Sequence, residues 1–589
     1  MAVRSRLAVA STGWRHLARI GADCLLAARQ EENPGKADGL RHAAAQMLLW
    51  AFGESPLHGP LAAEILSAPD LPLTECSRTA LAAVAGLWRI PGSSGVSGEG
   101  GLAYFERLAA RRDTPALANF LAGRIAQDPA GLFWREKALA LALFAGEGEP
   151  ELSALLSELA LAHVEAIPGL APVAANLRAQ AAFLRGDVDA CLAELAQVPD
   201  LGGCFGPGFA PARAGLALLA GSTSMAGCTP MAGESSALPH LFAALAAAPW
   251  QVGLALATAD VLSGARCETA PLPAPTLILL YTWNKAADLN TTLASLFHSD
   301  LSGARVVVLD NGSTDETPQV LDAWEDRCGG ALSRVTLPVN IGAPAARNWL
   351  AHCALHQPGG EAIESVLYMD DDVEVPPHGE GSWLGGLGAA LARFPQAGVV
   401  GCKVVDHAAP RLIQNAAGQL VIPEGDAAEQ SERPDPDFAS RTPNPFRLCD
   451  AHLQGPDWGM FDWIGPCSSV TGCCHLFRRS WLESKAEQGG GFSLALGPSQ
   501  YDDFERDLRM VRGGGFAVYT GHVRIRHRKR SGLSAQQGAA GANAAGNRYK
   551  MQTMHSRAEI AQYINSQAER LDAHLRSRLR HLDQAGDVT

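Results

Sequence analysis

The sequence predicts an α/β domain with a mostly parallel sheet, preceded by an all-α region of helical hairpins. Before residue 263, Ala/Leu-rich segments repeat apolar residues at helical spacing and contain few β-branched residues. After residue 276, apolar β-branched runs of strand length alternate with helical patterns. That alternation is typical of parallel sheets with right-handed crossovers. Three prolines within 264–275 indicate a linker between the two regions.

The helical region covers residues 1–263 and lacks a clear repeat. Within it, Ala181–Asp187 leads into a second helix containing Cys191, and this turn looks like that of a tetratricopeptide-type helix pair. We find no accompanying period of about 34 residues, so an irregular array of hairpins is predicted. Such a region could bind a protein partner, or it could be an inert folded appendage.

The α/β domain is predicted over residues 276–530. Its strand-like runs are TLILLYT (276–282), ARVVVLD (304–310), ESVLYMD (364–370) and AGVVGCKVV (397–405). A Gly/Ala/Gln-rich stretch over 531–551 predicts a flexible linker. A polar helix is predicted over 552–589, with an apolar face that could pack on the body, on a partner or on a membrane.

Composition and charge narrow the class of protein. The chain has 589 residues, 47% of them hydrophobic and 19% charged, which indicates a globular protein able to bury large cores. The net charge of −13 argues against general nucleic-acid binding, which needs a basic surface. Thirteen scattered cysteines indicate reduced thiols, and no apolar run reaches about 18 residues. We therefore expect a cytoplasmic protein, with peripheral contact at the inner face of the membrane left open.

The strongest chemical signal is the acidic triplet that ends the run VLYMDDD. Because side chains alternate along a strand, Asp370 and Asp372 are expected on one side and Asp371 on the other. Two carboxylates so close at the end of a buried strand repel each other unless a cation lies between them. Oxygen ligands at this spacing suit Mg²⁺ or Mn²⁺, and strand carboxyl ends are where open α/β sheets bind ligands. The alternative is a solvated acidic turn.

Six further elements accompany the triplet in a fixed order. They are Thr282 and Asn284 after the first strand, the block Val307–Asp315, the block Asn340–Asn348, Thr471-Gly472 followed by Arg478-Arg479, the pair Asp502-Asp503, and a late His527. In this order the elements resemble the family 2 glycosyltransferases of the GT-A fold, over roughly 276–530. The MDDD and DDFE forms look like those of the galactofuranosyl- and rhamnosyl-type members.

The resemblance implies metal-dependent, inverting transfer of a sugar from a nucleoside diphosphate donor. The commonest nucleotide in the family is UDP, and the acceptor is a glycan, a lipid-linked glycan or a protein. The metal ligands implied are Asp370, Asp372 and His527, with His522 as a competing candidate for the histidine and Mn²⁺ or Mg²⁺ as the ion. The residues implied to contact the donor are Thr282, Asn284, Asp310, Arg347, Asp370 and Asp371.

The resemblance also implies a catalytic base and an acceptor site. Asp503 matches the position of the general base, and Asp502 that of a residue contacting acceptor hydroxyls. The alternative for both is an exposed acidic helix start. Trp458 and Trp463 lie in a Gly- and Pro-bounded loop and are candidates for an acceptor platform, with core packing as the alternative.

Cysteines near residue 470 raise the question of a zinc site. The group consists of Cys467, Cys473, Cys474 and His475, without a paired C-x-x-C knuckle. We therefore expect buried thiols here.

Other classes of protein remain to be weighed against a glycosyltransferase. The first is a scaffold protein in which the helical region binds partners and the GT-A domain is degenerate, but Asp370, Asp372, Asp503 and His527 are all retained. A nucleotidyltransferase would normally carry a Gly-rich loop after the first strand, and TWNKAADLN contains no glycine. A processive synthase would need transmembrane helices and usually a Q-x-x-R-W motif, which we do not find.

Overall fold

The structure is a computed structural model that describes most of the chain. The described residues are 13–89, 99–111, 113–197, 201–222, 232–357, 359–377, 382–409, 411–422, 446–448, 456–484, 490–528 and 539–586.

Helices α1 to α14 make up the described part of the N-terminal region. They are Trp14–Gln30, Pro34–Glu54, Gly59–Leu66, Glu75–Leu87, Glu99–Arg111, Thr114–Gln127, Phe133–Ala145, Pro150–Leu161, Ala171–Leu184, Val188–Gln197, Leu201–Phe205, Phe209–Ser222, Ala232–Ala247 and Val252–Leu262. Helices α9 and α10 form the hairpin expected at Ala181–Asp187. Its second helix is capped by Asp187, whose Oδ1 accepts a hydrogen bond from the Ala190 amide at 3.0 Å.

Twelve strands follow in the described part of the chain. Strands β1 to β12 are Thr276–Thr282, Arg305–Asp310, Leu332–Thr336, Ser365–Met369, Val373–Glu374, Val399–Asp406, Ile413–Asn415, Leu420–Val421, Arg447–Leu448, Ile464–Cys467, Cys474–Arg478 and Ala517–His527. The main sheet has the order β10-β12-β6-β11-β4-β1-β2-β3. Along this order all strands run in one direction except β10 and β11, and the short strands β5 and β7 pair antiparallel with β12 and β6. The predicted all-helical region followed by a mostly parallel sheet is confirmed.

Short helices flank this sheet. Helices α15 to α20 are Ala286–Phe297, Thr317–Cys328, Ala343–Leu355, Trp383–Arg393, Arg479–Leu482 and Asp502–Arg512. Strands β1 and β4 consist almost entirely of buried residues, because helices or other layers cover both faces of the sheet. Their continuous apolar runs made them recognisable in the sequence.

The strand order places a ligand-binding edge at β1. Strand β1 lies between β2 and β4, with Thr282 paired to Asp310 and Leu280 paired to Met369. The connections from β1 and β4 leave the sheet at the same edge, so the segments after Thr282 and after Met369 meet there. Edges of this kind, where the strand order reverses, are where open α/β sheets bind ligands.

The C-terminal segment differs from the sequence prediction. Helix α21 (Ala539–Met554) occupies most of the stretch predicted as a flexible linker over 531–551, so that prediction is wrong for 539–551; residues 531–538 lie outside the described part. Asn547 is 2% exposed and donates to the Leu496 carbonyl at 2.6 Å. The buried amide shows that tertiary packing orders this Ala-rich stretch.

The last helix, α22 (Arg557–Gly586), packs on the body of the protein. Ile560 and Leu571 are buried, and His574 Nε2 donates to the Ile464 carbonyl of β10 at 2.9 Å. Arg578 pairs with Asp260 of α14. The apolar face that the sequence left without a partner is thus covered by the chain itself. Among the described residues, no helix combines the length and apolarity that crossing a bilayer requires.

Candidate active site

The turn after β1 is built by side chains of the next βα unit. Asn284 adopts φ +53°, and its Oδ1 accepts from the Thr314 amide at 2.7 Å. Its own amide donates to Ser313 Oγ at 3.0 Å, and the Ser313 amide donates to Asp310 Oδ1 at 2.9 Å. The structure thus brings Asn284 and Asp310 to one loop cluster at the ligand-binding edge. The Asn284 side chain there organises the loop.

Gly312 lies in the same loop, and a larger residue at this position would displace the backbone at Val339. Its φ is +75°, and an added Cβ would lie 2.6 Å from the carbonyl carbon of Val339. The loop after β2 therefore packs closely against the segment before α17. Asn311 adds a hydrogen bond between the two segments, since its Oδ1 accepts from the Ile341 amide at 3.0 Å.

The acidic triplet follows β4 at the same edge and pairs with Lys285. Lys285 Nζ lies 2.9 Å from Asp371 Oδ1 and 2.7 Å from Asp372 Oδ2. Burial raises the pKa of Asp371 to about 6, although Lys285 opposes the rise. Burial would also raise the pKa of Asp372, but His527 and Lys285 outweigh it and hold that pKa below its usual value. Lys285 was missed in the sequence, although its place beside Asn284 on the loop after β1 was a usable signal.

Thr282, at the end of β1, and Thr292, on α15, lie near Asp371 of the triplet. Thr282 is fully buried, its hydroxyl makes no hydrogen bond in the described part of the chain, and its nearness to Asp371 lowers the pKa of that carboxyl. Thr292 of α15 donates to the Asp371 carbonyl at 3.0 Å. The hydrogen bond from Thr292 holds the Asp371 backbone on the side of the triplet that faces α15.

Arg347 connects the triplet to the second acidic pair. Its Nη2 donates to Asp370 Oδ1 at 3.1 Å and its Nη1 to Asp502 Oδ2 at 2.5 Å. Burial would lower the pKa of Arg347, but the carboxylates raise it well above its usual value. The guanidinium also lies 5.2 Å from the ring centres of Tyr281 and Phe492. Arg347 is therefore a fixed, buried cation between two loops that carry acidic residues.

Asp502 differs from its predicted role. It is 2% exposed and bound to Arg347, so it does not face the open site as a residue contacting acceptor hydroxyls would. The expectation is corrected, because a carboxylate at this depth needs a buried cation and Arg347 supplies it.

Removing Arg347 is expected to destabilise the fold. In Arg347→Met the buried Asp502 loses its cation, and breaking a buried pair in this way costs about 3–5 kcal/mol. Urea unfolding measures the loss. Arg479→Met is the matched control, since Arg479 pairs with the exposed Glu483 and donates to the Gly360 carbonyl, contacts whose loss should cost about 1 kcal/mol. Equal losses in both variants would contradict a stabilising role for the Arg347–Asp502 pair.

Asp503 is the second residue of α20 and faces the loop that contains Thr471 and Gly472. The Gly472 amide donates to Asp503 Oδ2 at 2.7 Å. A Cβ on Gly472 would lie 2.9 Å from Arg347 Nη2 and 3.1 Å from Asp503 Oδ2. The glycine therefore allows Asp503 and Arg347 to approach the same loop. Unlike Asp502, Asp503 is only partly buried.

His527 ends β12 beside the triplet. Its Nε2 lies 3.1 Å from Asp372 Oδ1, and its Nδ1 lies 2.8 Å from Gln414 Oε1. The competing candidate, His522, instead binds Asp260 at 2.9 Å in the junction with the helical region. A carboxylate oxygen of Asp372 and a ring nitrogen of His527 thus lie side by side, and donors of these two kinds fit a divalent ion.

The two tryptophans proposed as an acceptor platform are buried. Trp458 is 3% exposed, stacks on Phe183 of α9 at 4.1 Å between ring centres and lies under Arg213. Trp463 is 2% exposed and packs edge-on against Tyr519. The expectation is therefore corrected: Trp458 seals the contact between the helical region and the sheet domain, and Trp463 belongs to the core.

Comparison with known proteins agrees with this fold. Residues 277–411 match the family model described as glycosyl transferase family 2. This stretch runs from β1 to just before β7 and contains the acidic triplet and Arg347. This stretch therefore matches a glycosyltransferase domain of family 2, and the predicted resemblance is confirmed for it. No curated protein is similar enough to count as a match.

Three solved structures are similar to parts of the chain. One is GalNAc-T7 with UDP, GalNAc and Mn²⁺, at 13% identity and a TM-score of 0.31, covering 43% of each chain. Another is the mannosyltransferase PcManGT from Pyrobaculum calidifontis with GDP-Man and Mn²⁺, at 19% identity and a TM-score of 0.33, covering 60% of this chain and 88% of that one. The third is S. aureus TarS, at 16% identity and a TM-score of 0.28, covering 44% and 38%. The chain thus spans less than half the length of the first and third.

Proposed function

We propose that the protein transfers a sugar from a nucleoside diphosphate donor to a hydroxyl acceptor, with inversion and with a divalent metal ion. The observation that carries the proposal is the approach of two carboxylates to His527 at the carboxyl edge of the sheet: a carboxylate oxygen of Asp370 lies within 4.8 Å of a ring nitrogen of His527, and Asp372 Oδ1 lies 3.1 Å from His527 Nε2. Asp503 approaches the same site through Gly472. The match to glycosyl transferase family 2, over residues 277–411, includes Asp370 and Asp372.

The metal ion would be held by Asp370, Asp372 and His527. When bound, Mn²⁺ or Mg²⁺ supplies a Lewis acid that neutralises the charge developing on the diphosphate leaving group. Lys285 and Arg347 each hold one oxygen of these carboxylates, which fixes the ligands before the ion arrives. Asp310, the last residue of β2, would contact the nucleotide. We include Thr282, Asn284 and Asp371 as residues that shape the donor pocket around it.

Asp503 would act as the general base. An acceptor hydroxyl is a weak nucleophile, and a positioned carboxylate that removes its proton assists attack at the anomeric carbon. The Gly472 amide holds one carboxylate oxygen of Asp503 at 2.7 Å. Arg347 and Asp502 anchor the start of the same helix, so the base has a fixed direction. Attack from the face opposite the leaving group gives inversion.

The substrates are proposed at the level of chemical class. The donor is a nucleoside diphosphate sugar, with UDP the first candidate, and the MDDD and DDFE forms favour galactofuranosyl or rhamnosyl transfer. The acceptor is a glycan, a lipid-linked glycan or a protein. The helical region, which contacts the sheet domain through Trp458 and Phe183, is a candidate surface for the acceptor or a protein partner.

Donor turnover tests the proposal. Full-length protein is incubated with UDP-galactofuranose, other UDP-sugars, GDP-sugars and dTDP-rhamnose, and nucleoside diphosphate release is measured with Mn²⁺ or with EDTA. We expect release from one nucleotide class, abolished by EDTA. The control variant is Glu374→Gln, which should keep normal release. Glu374 is the first acidic residue after the triplet, and it pairs with Arg528. Folded protein that turns over none of these donors contradicts the proposal.

Replacing Gly472 with alanine is expected to slow turnover while leaving the fold intact. The added methyl group would displace Asp503 and Arg347 by a few tenths of an ångström or more. Misplacement of a catalytic group by about 1 Å costs on the order of 10²-fold in rate, so a loss of about tenfold or more in kcat is expected. Steady-state kinetics measure it. Gly123→Ala, on a helix with nothing within 4 Å of the added Cβ, should leave kcat unchanged.

A further inference from the structure

A thiol lies among the carboxylate and imidazole donors of the site. Cys473 is 7% exposed, and its Sγ is 3.3 Å from Asp370 Oδ2. One donor atom from each of Asp370, Cys473 and His527 lies within 4.8 Å of the other two. Oxygen, sulphur and nitrogen donors of these three kinds all bind transition metals.

The carboxylate and imidazole donors are oriented by partners on their far sides. Arg347 occupies Asp370 Oδ1, which leaves Oδ2 directed at the thiol. Gln414 Oε1 accepts a hydrogen bond from His527 Nδ1. With Nδ1 donating to Gln414, Nε2 is the nitrogen available to an ion, which would replace the contact that Nε2 makes with Asp372 Oδ1. Such support from outside the ligand set is what metal-binding histidines and carboxylates usually receive.

The spacing between donors also fits a shared ion. Ligand atoms bound to one tetrahedral ion at about 2.0–2.3 Å lie about 3.3–3.8 Å from each other. Cys473 Sγ and Asp370 Oδ2 are 3.3 Å apart, and His527 Nε2 and Asp372 Oδ1 are 3.1 Å apart. Modest relaxation therefore brings the sulphur into the same coordination sphere as the oxygen and nitrogen donors.

We propose that Cys473 is a ligand of the metal ion, so that the site presents a mixed oxygen, nitrogen and sulphur donor set. The inference rests on the proposed function, which places a divalent ion at this site. Thiolates favour softer ions, so Zn²⁺, Cd²⁺ and Co²⁺ bind this site more tightly than Mg²⁺. On binding, the thiol proton is released to solvent. The expectation that all these cysteines are merely buried thiols is thereby revised for Cys473 alone.

The neighbouring cysteine provides a matched control. Cys474 is buried in β11 and interacts with Cys402. Cys473 lies in the turn that precedes β11, and its thiol, unlike that of Cys474, belongs to the donor group with Asp370 and His527. Substituting one or the other changes the same chemical group in the same segment, and only Cys473 lies at the donors.

Titration of the reduced, full-length protein with Co²⁺ tests the proposal. Thiolate ligation gives a sulphur-to-cobalt charge-transfer band in the near ultraviolet, which carboxylate and imidazole ligands do not give. We expect the band in the unmodified protein and in Cys474→Ser. It should be lost in Cys473→Ser, in Cys473→Ala and in Asp370→Asn. Cd²⁺ affinity should fall about tenfold or more in Cys473→Ser, while Mg²⁺ affinity should change less than about threefold.

The outcomes separate this inference from the proposed function. A band that persists in both Cys473 variants overturns the inference. Co²⁺ binding without any such band in the unmodified protein also overturns it, yet leaves the metal site and the proposed function standing. Failure of the folded protein to bind either Co²⁺ or Mn²⁺ overturns both. Circular dichroism and the melting temperature establish that each variant is folded.

Discussion

Asp503→Asn is expected to lower kcat by about 10²–10⁴-fold, because the variant lacks the carboxylate that accepts the acceptor's proton. Binding of the donor nucleotide should be unchanged. Asparagine has nearly the same shape, and its Oδ1 still accepts a hydrogen bond from the Gly472 amide, which lies 2.7 Å from the carboxylate oxygen in the present structure. The variant thus separates chemistry from binding.

Single-turnover kinetics and nucleotide titration measure these two effects. Asp507→Asn is an unsuitable control, because Asp507 is fully buried and holds Ser469 and Val470. Asp572→Asn is the better one, since Asp572 is on the exposed side of α22 and pairs only with Arg576 among the contacts described. Loss of nucleotide affinity in Asp503→Asn, or a normal kcat, would contradict the assignment of Asp503 as base.

Asp372→Ala is expected to abolish metal-dependent donor binding. Asp372 Oδ1 faces His527 Nε2, and its Oδ2 is held by Lys285, so the substitution removes the proposed ligand and leaves Asp371 as the described carboxylate partner of Lys285. Loss of even a supporting residue at a metal site costs about 10–100-fold in affinity, and loss of a ligand should cost at least as much. Isothermal titration with Mn²⁺ measures the change.

Glu374→Gln is again the matched control for this variant. Glu374 lies two residues further along, on β5, and contacts Arg528 and His407. It should retain normal Mn²⁺ affinity. If Asp372→Ala keeps the Mn²⁺ dependence of donor binding, the assignment of Asp372 as a ligand is wrong.

Local sequence patterns were enough to predict most of the fold. Buried parallel strands are continuous apolar runs, and β1 and β4 could be recognised on that ground. The acidic triplet could be placed at a ligand-binding edge because it follows directly on one of these strands. The helical hairpin after Ala181 was recognisable from its turn.

Contacts between distant segments were not predictable in the same way. Lys285 and Asp371 are 86 residues apart, and nothing in either segment alone indicates that they pair. Trp458 sits in a loop whose composition suits an exposed sugar platform. Its burial depends on Phe183 and Arg213 in the helical region, and a single sequence does not show which surfaces dock. Helix α21 was taken for a linker for the same reason, since its order depends on packing against the loop at 496–500.

The central claim is a metal-dependent nucleotide site at the carboxyl ends of β1 and β4. Calorimetric titration of UDP, GDP and dTDP into the full-length protein, with and without Mn²⁺, tests it most directly. We expect one of the three nucleotides to bind in the presence of Mn²⁺ and to bind much more weakly without it. Binding of none of them by folded protein, or binding unaffected by Mn²⁺, would contradict the account.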